Sequence, residues 1–98
     1  MHVERYLINE EVVPIMMDKV SGSTHIHSIG NTEKGSSGRG FSLIVKFHRG
    51  GVYLYKDVPL KHIEGISHAI NKGEYFSSYI KSQTYTFIKI FPAPDDKA

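Results

Sequence analysis

The sequence predicts a single α+β domain, a small antiparallel sheet with two helices packed on one face. Two patterns predict it: a pair of strand-like segments joined by a tight turn over residues 41–56, and a helix-like stripe of isoleucines over residues 58–72. The helical segments follow the first strands instead of alternating with them, which favours α+β over a parallel α/β sheet. The 98 residues, 40% hydrophobic and 22% charged, are enough for one core and not for two.

The N-terminal residues 1–19 have a mixed pattern, and we expect them to form an arm that precedes the domain. Residues 3–8 suit a strand, whereas residues 12–17 are mostly apolar and suit a short helix. Pro14 fits such a helix only near its first turn, because proline lacks the amide hydrogen that later turns use.

A short strand and a loop follow the arm. Residues 24–29 read as a strand in which Ile26 separates His25 from His27. Residues 30–40 contain four glycines and small polar side chains, which predict a flexible loop. The loop does not match a phosphate-binding loop, because it lacks the Gly-Lys-Ser/Thr ending and no helix follows it.

The clearest secondary structure is an antiparallel hairpin over residues 41–56. A period-two pattern runs through its first strand at Phe41, Leu43, Val45 and Phe47. A two-residue turn would place Val52 and Leu54 on that face and leave Tyr53 and Tyr55 on the opposite one. A three-residue loop with Gly50 as the bulge residue would instead place both tyrosines on that face. The sequence leaves both registers open.

The first helix begins at Val58-Pro59. Proline suits the first helical position, and Asp57 places negative charge beside the positive end of the helix. The apolar stripe consists of Leu60, Ile63, Ile66 and Ile70. We expect the helix to end at residues 71–73, because glycine accommodates the left-handed conformation that often follows a helix.

The C-terminal part of the chain predicts three further segments. A second short helix covers residues 74–81, with its aromatic and apolar side chains on one side. Residues 84–91 are rich in β-branched and aromatic side chains and predict a last strand. Residues 92–98 are expected to be a flexible tail.

Composition excludes several classes of protein. The chain has no cysteine, so disulfides, thiolate zinc sites, cysteine nucleophiles and iron–sulfur clusters are excluded. No apolar run reaches the roughly 18 residues of a membrane span, and charges and a proline interrupt the N-terminal segment, unlike a signal peptide. We therefore expect a soluble, cytoplasmic protein.

Two patterns that could carry chemistry are incomplete. His25 and His27 are two residues apart on a predicted strand, which is half of a metal site, and Glu33 is the only acidic residue nearby. The chain has no Gly-x-Ser-x-Gly nucleophile motif and no convincing pair of catalytic carboxylates. We expect no metal, no cofactor and no enzymatic activity.

Charge is unevenly distributed along the chain. From Arg39 to Lys89 there are eight Lys or Arg residues and three Asp or Glu, a net charge of +5, whereas the remainder carries −3. Such asymmetry favours an anionic partner for the central segment, although scattered lysines are also typical of a plain solvated surface.

Tyrosines and basic residues lie together on the predicted hairpin. The candidate nucleic-acid-binding residues are Tyr53, Tyr55, Lys46, Arg49, Lys56 and Lys61. Aromatic rings offer faces on which bases stack, and neighbouring cations neutralise phosphates, so this combination fits RNA or another single-stranded nucleic acid. Tyrosines in a strand also fit a packed core with the hydroxyl at its rim, and both interpretations stay open.

A series of short motifs runs through the central part of the chain. In order, they are Val20-Ser21, Ile29-Gly30, Leu43-x-Val45-x-Phe47-x-x-Gly50, Tyr53-x-Tyr55-x-x-Val58-Pro59, and Gly73-x-Tyr75-Phe76. Together they resemble the KTSC domain, a small domain found at the C-terminus of some lysyl-tRNA synthetases and as stand-alone bacterial and phage proteins. The resemblance covers about residues 20–86. Asn31 and Asn71 depart from its pattern, which tends to have Tyr and Ser there, and the 30–40 loop looks like an insertion.

The resemblance implies a division of the chain and points to a ligand. We expect an N-terminal arm (1–19), a KTSC-like domain (20–91) and a flexible tail (92–98). The resemblance implies the family fold over the domain, and it gives a suggestion of RNA binding.

The leading hypothesis is a small non-catalytic module that binds RNA or another nucleic acid through the hairpin. The alternative is a protein-interaction module, such as a phage-encoded adaptor or host-factor inhibitor, that uses the arm and adds a strand at the 84–91 edge. A third is a structural accessory or homodimer along that edge. Burial of Tyr53 and Tyr55 would favour the protein-interaction hypothesis. We expect a monomer or weak homodimer with no membrane partner.

Overall fold

The computed structural model describes residues 2–32, 41–81 and 85–93, and within them the backbone forms a closed barrel of six antiparallel strands. The strands follow chain order around the barrel: β1 (His2–Ile8), β2 (Glu11–Lys19), β3 (Ile26–Asn31), β4 (Phe41–Phe47), β5 (Gly51–Val58) and β6 (Phe87–Pro92). The barrel closes where Tyr6 lies opposite Pro92 and Leu7 opposite Phe91. Between β5 and β6 the chain forms α1 (Leu60–His68), α2 (Lys72–Tyr75) and a π-helical segment, Phe76–Lys81.

The predicted fold class, α+β with a small open sheet covered by helices on one face, is wrong. The sheet closes on itself, and strands make up most of the structure. The N-terminal residues, expected to contain a short helix, form β1 and β2 instead. The last strand pairs with β1 as well as with β5. These pairings join segments far apart in the chain, so no local sequence pattern reports them.

The turn of the β1–β2 hairpin explains why Pro14 is tolerated within a strand. The turn residues Asn9 and Glu10 have φ angles of 52° and 66°, the left-handed pair of a two-residue type I′ turn. Ile8 and Glu11 face each other across this turn, and hydrogen-bonded pairs alternate with non-bonded pairs from there. Pro14 falls in a non-bonded pair, so the N–H that it lacks would point away from β1.

Apolar side chains are buried in two layers, one inside the barrel and one outside it. The interior layer consists of Tyr6, Ile15, Met17, Ile44, Val52, Leu54 and Ile90. The outer layer joins the β3–β5 wall to the helical segments and consists of Val20, Ile26, Ile29, Leu43, Val45, Tyr55, Val58, Ile63, Ile66, Phe76 and Ile80. β4 contributes to both layers, which explains its uninterrupted apolar run at residues 43–45.

The register of the β4–β5 hairpin is the one that follows from a three-residue loop. Phe47 lies opposite Gly51, and Tyr53 lies opposite Val45, so both tyrosines share the outer face of the barrel with Phe47. The bulge residue differs from the expected Gly50, because the positive φ of 88° belongs to Gly51.

α1 is shorter than its sequence pattern predicts. It begins directly after the expected proline and buries Ile63 and Ile66, but it ends at His68. Ala69 adopts an extended conformation that stops the helix. Ile70, predicted to belong to the apolar stripe, is therefore fully exposed.

The second helical region begins at Asn71, which starts a helix rather than ending one. The side-chain oxygen of Asn71 accepts a hydrogen bond from the backbone N–H of Glu74 at 3.0 Å, the geometry of an N-cap. The π-helical segment continues α2 and buries Phe76 and Ile80 against the outer layer. Helix over residues 74–81 is thus confirmed, with an earlier start.

Parts of two predicted features lie outside the described residues. They are the Gly/Ser-rich loop, of which residues 33–40 are affected, and the tail, of which residues 94–98 are affected. Residue 84, the predicted start of the last strand, also lies outside, and the strand is observed over Phe87–Pro92. Within the described ranges, no helix is both long and apolar enough to cross a bilayer.

Candidate nucleic-acid interface

The hairpin residues predicted to bind nucleic acid do not share one face. Tyr53 and Tyr55 point to the outside of the barrel, whereas Lys46 lies opposite Val52 and so belongs to the interior side. The Nζ atom of Lys46 is 3.4 Å from Oε2 of Glu4, with which it forms an ion pair. Lys46 is therefore already engaged across the barrel, away from the tyrosines.

The two tyrosines differ in accessibility. Tyr55 is buried, with its ring centroid 5.5 Å from that of Phe76 and 5.3 Å from that of Phe87. Burial, with a smaller effect of the neighbouring Tyr53, raises the pKa of Tyr55. Tyr53 is half-buried and packs edge-on against Phe47 at 5.8 Å. Only Tyr53 presents surface to which a base could bind.

The remaining predicted cations are exposed but widely spaced. Arg49 lies in the loop that joins β4 to β5, and Lys56 lies near the far end of β5, seven residues on, or about 23 Å for an extended strand. Lys61 belongs to the first turn of α1. Of these three, Arg49 is at the end of the hairpin nearer to Tyr53.

Sequence reasoning missed the residues of β6 that face outward beside Tyr53. Ile88 and Ile90 point towards the interior layer, which leaves Phe87, Lys89 and Phe91 on the outer wall. Phe87 and Phe91 are 54% and 58% exposed. The alternation of aromatic and isoleucine residues at 87–91 was the available signal.

We refer to Tyr53, Phe87, Lys89 and Phe91 as the β6 face. Lys89 lies opposite Tyr53 in the β5–β6 pairing, and its Nζ is 5.7 Å from the ring centroid of Phe91, over the ring. Gly51 leaves room for the lysine, because a Cβ atom there would lie 3.1 Å from Lys89 Cε. The packing on β5 therefore keeps a cation between exposed aromatic rings.

The strand beside β6 extends this surface with one more cation. The outward positions of β1 are Val3, Arg5 and Leu7, and Leu7 lies opposite Phe91. Together, the outward positions of β1 and β6 hold two cations and no carboxylate. Exposed rings with interspersed positive charge are suited to stacking bases and neutralising phosphates.

A partly buried carboxylate, that of Glu4, joins β1 to β4 at the interior side. Glu4 accepts hydrogen bonds from the Tyr6 hydroxyl and from His2, in addition to its ion pair with Lys46. Burial favours a higher pKa for Glu4, but these hydrogen bonds and the lysine charge outweigh it and lower the pKa. Burial and the bond to Glu4 raise the pKa of Tyr6.

The histidines considered as metal ligands are placed in different surroundings. The ring of His27 lies edge-on to that of His48, with 5.4 Å between centroids, and His25 lines a surface cleft. Burial and the positive charges of Lys46 and His48 lower the pKa of His27. Among the residues that the structure describes, no three His, Asp or Glu side chains form a group able to hold a metal ion.

Comparison with known proteins agrees with the resemblance drawn from the motifs. The KTSC domain model matches residues 22–85. The crystal structure of a KTSC domain protein from Yersinia pestis is similar, with a TM-score of 0.62 and 30% sequence identity, over 79% of this chain and 99% of that chain. No curated protein sequence matches. The family model spans β3, β4, β5 and the helical segments, and on these two findings the chain belongs to the KTSC domain family.

Proposed function

We propose that the protein is a non-catalytic module that binds single-stranded nucleic acid, RNA in particular, on the β6 face. The observation that carries the proposal is the alternation of exposed Phe87, Lys89 and Phe91 on the outer wall, beside the half-buried ring of Tyr53. Base stacking on an aromatic side chain contributes about 1–3 kcal/mol per base and tolerates any sequence. The face therefore fits a ligand recognised by its backbone and stacked bases.

The length of the β6 face fits a single-stranded nucleic-acid chain rather than a single base. Phe87 and Phe91 are four residues apart on one strand, or about 13 Å. Lys89 lies between them, and Arg5 lies on the adjacent strand. A chain that runs along β6 meets Phe87, Lys89 and Phe91 in turn. Arg5 lies beyond the Phe91 end, where its carbonyl accepts a hydrogen bond from the N–H of Ala93.

The proposal changes the set of residues predicted from the sequence. Tyr53 and Arg49 remain in it, whereas Tyr55 is buried in the outer layer and Lys46 is paired with Glu4. Lys56 lies beside the Phe87 end of the face, where its N–H donates to the Thr86 carbonyl at 2.8 Å, but strand alternation directs its side chain to the opposite side of the sheet from Tyr55. Lys61 belongs to α1, and both lysines contribute to the general positive field.

Fluorescence anisotropy with labelled single-stranded RNA at several salt concentrations tests the proposal. Phosphate contacts from Lys89, Arg5 and Arg49 predict a slope of about −2 in log K against log salt. Phe91→Ala should weaken binding by about 1–3 kcal/mol without changing the slope, and Lys89→Ala should flatten the slope by about 0.7.

The matched control is Ile70→Ala, which also truncates an exposed apolar side chain but lies elsewhere on the surface. It should leave RNA binding unchanged. Folded protein that does not bind RNA at low salt contradicts the proposal, as does equal loss of binding in Ile70→Ala and Phe91→Ala.

A second candidate function, protein interaction, is favoured by burial of Tyr55 and by exposed apolar side chains on the β1–β2 hairpin. Val3, Val12 and Met16 are each about half exposed, and Val3 lies opposite Met16. These side chains would form the contact. Strand addition at residues 84–91 has less room, because β5 pairs along one side of β6 and β1 already pairs with Phe91 and Pro92 on the other. A purified partner whose binding survives nuclease treatment and is lost in Met16→Lys would support this function.

A further inference from the structure

A surface cleft of about 350 Å³ lies between the helical segments and the residues that lead into β3. Its apolar floor consists of Ile26, Phe47 and Phe76, and its rim carries the polar groups of His25, Glu74, Ser77 and Lys81. A volume in this range, with an apolar floor and a few polar groups at the rim, is typical of small-molecule sites. All of these residues lie within the part of the chain that matches the family, residues 22–85.

The floor of the cleft is built to contact a flat ring. Ile26 and Phe76 are buried and fixed in the outer layer, and Phe47 packs edge-on against Phe76 with 5.9 Å between centroids. Because Phe47 is only half-buried, its ring contributes surface to the cleft. Such a floor favours an aromatic group over a flexible polar one.

The rim of the cleft offers an ammonium group and two further hydrogen-bond donors to a phosphate group, and its one carboxylate balances the lysine charge. His25 and Lys81 supply imidazole and ammonium groups, and Ser77 supplies a hydroxyl, against the single carboxylate of Glu74. The backbone on the His25 side is held in place, because Ser23 Oγ accepts hydrogen bonds from the N–H groups of His25 and Ile26 at 3.2 and 2.9 Å. The carboxylate is suited to accept hydrogen bonds from hydroxyl or amino groups of the same ligand.

The cleft also leads towards the β6 face. A second cavity of about 230 Å³ shares Thr24, His25 and Phe47 with the cleft and continues to Arg49 in the hairpin loop. Phe47 in turn packs against Tyr53 of the β6 face, with 5.8 Å between ring centroids. Aromatic surface therefore runs from the β6 face to the floor of the cleft.

We propose that this cleft binds one nucleotide, with the base against Phe47 and Phe76 and the phosphate beside Lys81 and His25. The inference rests on the proposed function, because the bound nucleotide is one residue of the RNA chain that lies along the β6 face. The cleft then anchors one position of an otherwise sequence-tolerant site, and it also accepts a free nucleoside monophosphate.

The experiment is an NMR titration of isotope-labelled protein with adenosine 5′-monophosphate, compared with adenosine and with inorganic phosphate. The monophosphate should shift the amide signals of Ile26, Phe76 and Ser77 at lower concentration than either fragment, because it makes both sets of contacts. Lys81→Ala should weaken this binding by about fivefold, the effect of one exposed charge pair. Lys61→Ala removes an exposed lysine that does not line the cleft and should change nothing.

Ser77→Phe is a second variant, which blocks the cleft without changing a core residue. It places a ring in the cleft from an exposed position and should abolish binding of the monophosphate in a protein that remains folded. Shifts confined to residues outside the cleft, or unchanged binding in Ser77→Phe, would overturn the inference.

Failure of this inference and failure of the proposed function give different results. Phe91→Ala should weaken RNA binding and leave binding of the monophosphate unchanged. RNA binding without monophosphate binding refutes the cleft alone, whereas monophosphate binding without RNA binding refutes the strand-binding function.

Discussion

Gly30 is a residue whose missing side chain allows β2 and β3 to approach each other. A Cβ atom at this position would lie 2.6 Å from the backbone oxygen of Met16, 2.7 Å from Sδ of Met17 and 2.8 Å from Cγ2 of Ile15. No real Cβ contact is that short, so any larger residue must move the backbone of β2 or the interior layer.

Gly30→Ala should therefore destabilise the protein by about 1–3 kcal/mol, the usual effect of overpacking a core. Thermal unfolding followed by circular dichroism measures the change. Gly50→Ala is the matched control, because the nearest atom to its added Cβ, Phe47 Cβ, is 3.7 Å away, an ordinary contact. Equal melting temperatures for the two variants would contradict the close approach at Gly30.

Tyr53 and Tyr55 should respond differently to truncation, although they are two residues apart. Tyr55→Ala removes a buried ring from the outer layer and should cost about 3–5 kcal/mol, whereas Tyr53→Ala, at a half-buried position, should cost less. Urea unfolding of both variants makes the comparison. Equal losses would contradict the observed register, and loss of RNA binding in Tyr55→Ala would report unfolding rather than stacking.

At the scale of elements, Glu4 links β1 to β4 through Lys46. The pKa of Glu4 is lowered in the folded protein from its ordinary value of 4.5, so folding favours the ionised carboxylate. The stability that it contributes is present above pH 4.5 and is lost as the pH falls through the lowered pKa.

The wild-type protein should therefore be more stable than Glu4→Gln at neutral pH, with a difference that shrinks below pH 4.5. Urea unfolding midpoints at a series of pH values measure this difference. Lys46→Met is the companion variant, because removal of the cation should weaken the pH dependence. A difference between wild type and Glu4→Gln that is constant from neutral to acidic pH would refute the link.

At the scale of the whole molecule, the interior layer depends on strands from outside the family-matched residues. Tyr6, Ile15 and Met17 come from β1 and β2, and they pack inside the barrel with Ile44 and Leu54 of the matched segment. β1 and β2 therefore complete the interior layer, and that layer buries their inward-facing side chains.

A chain that begins at residue 20 should not form a stable barrel, because its interior residues would lose this cover. Heteronuclear NMR should give a poorly dispersed spectrum, and the thermal transition should be broad or absent. Addition of a separate peptide of residues 1–19 should restore dispersion in part. A cooperative transition at the melting temperature of the full chain would show that β1 and β2 are dispensable.

By itself, the sequence determined the features that depend on local pattern. The hairpin at residues 41–56, the start of α1 after Pro59 and burial of Ile63 and Ile66 follow from periodicities of two and 3.6 residues within short windows. The motifs around Tyr53-x-Tyr55 were likewise sufficient for the family, because they are local and occur in order.

Only the tertiary structure decided the closure of the barrel and the composition of the candidate site. Closure joins Tyr6 to Pro92, a pairing that no short window contains. The β4–β5 register differs by one residue between the two possible loops, and that residue decides which face carries Tyr53. Lys89 comes beside Tyr53 through the pairing of β6 with β5, because strands far apart in sequence must meet before their side chains share a surface.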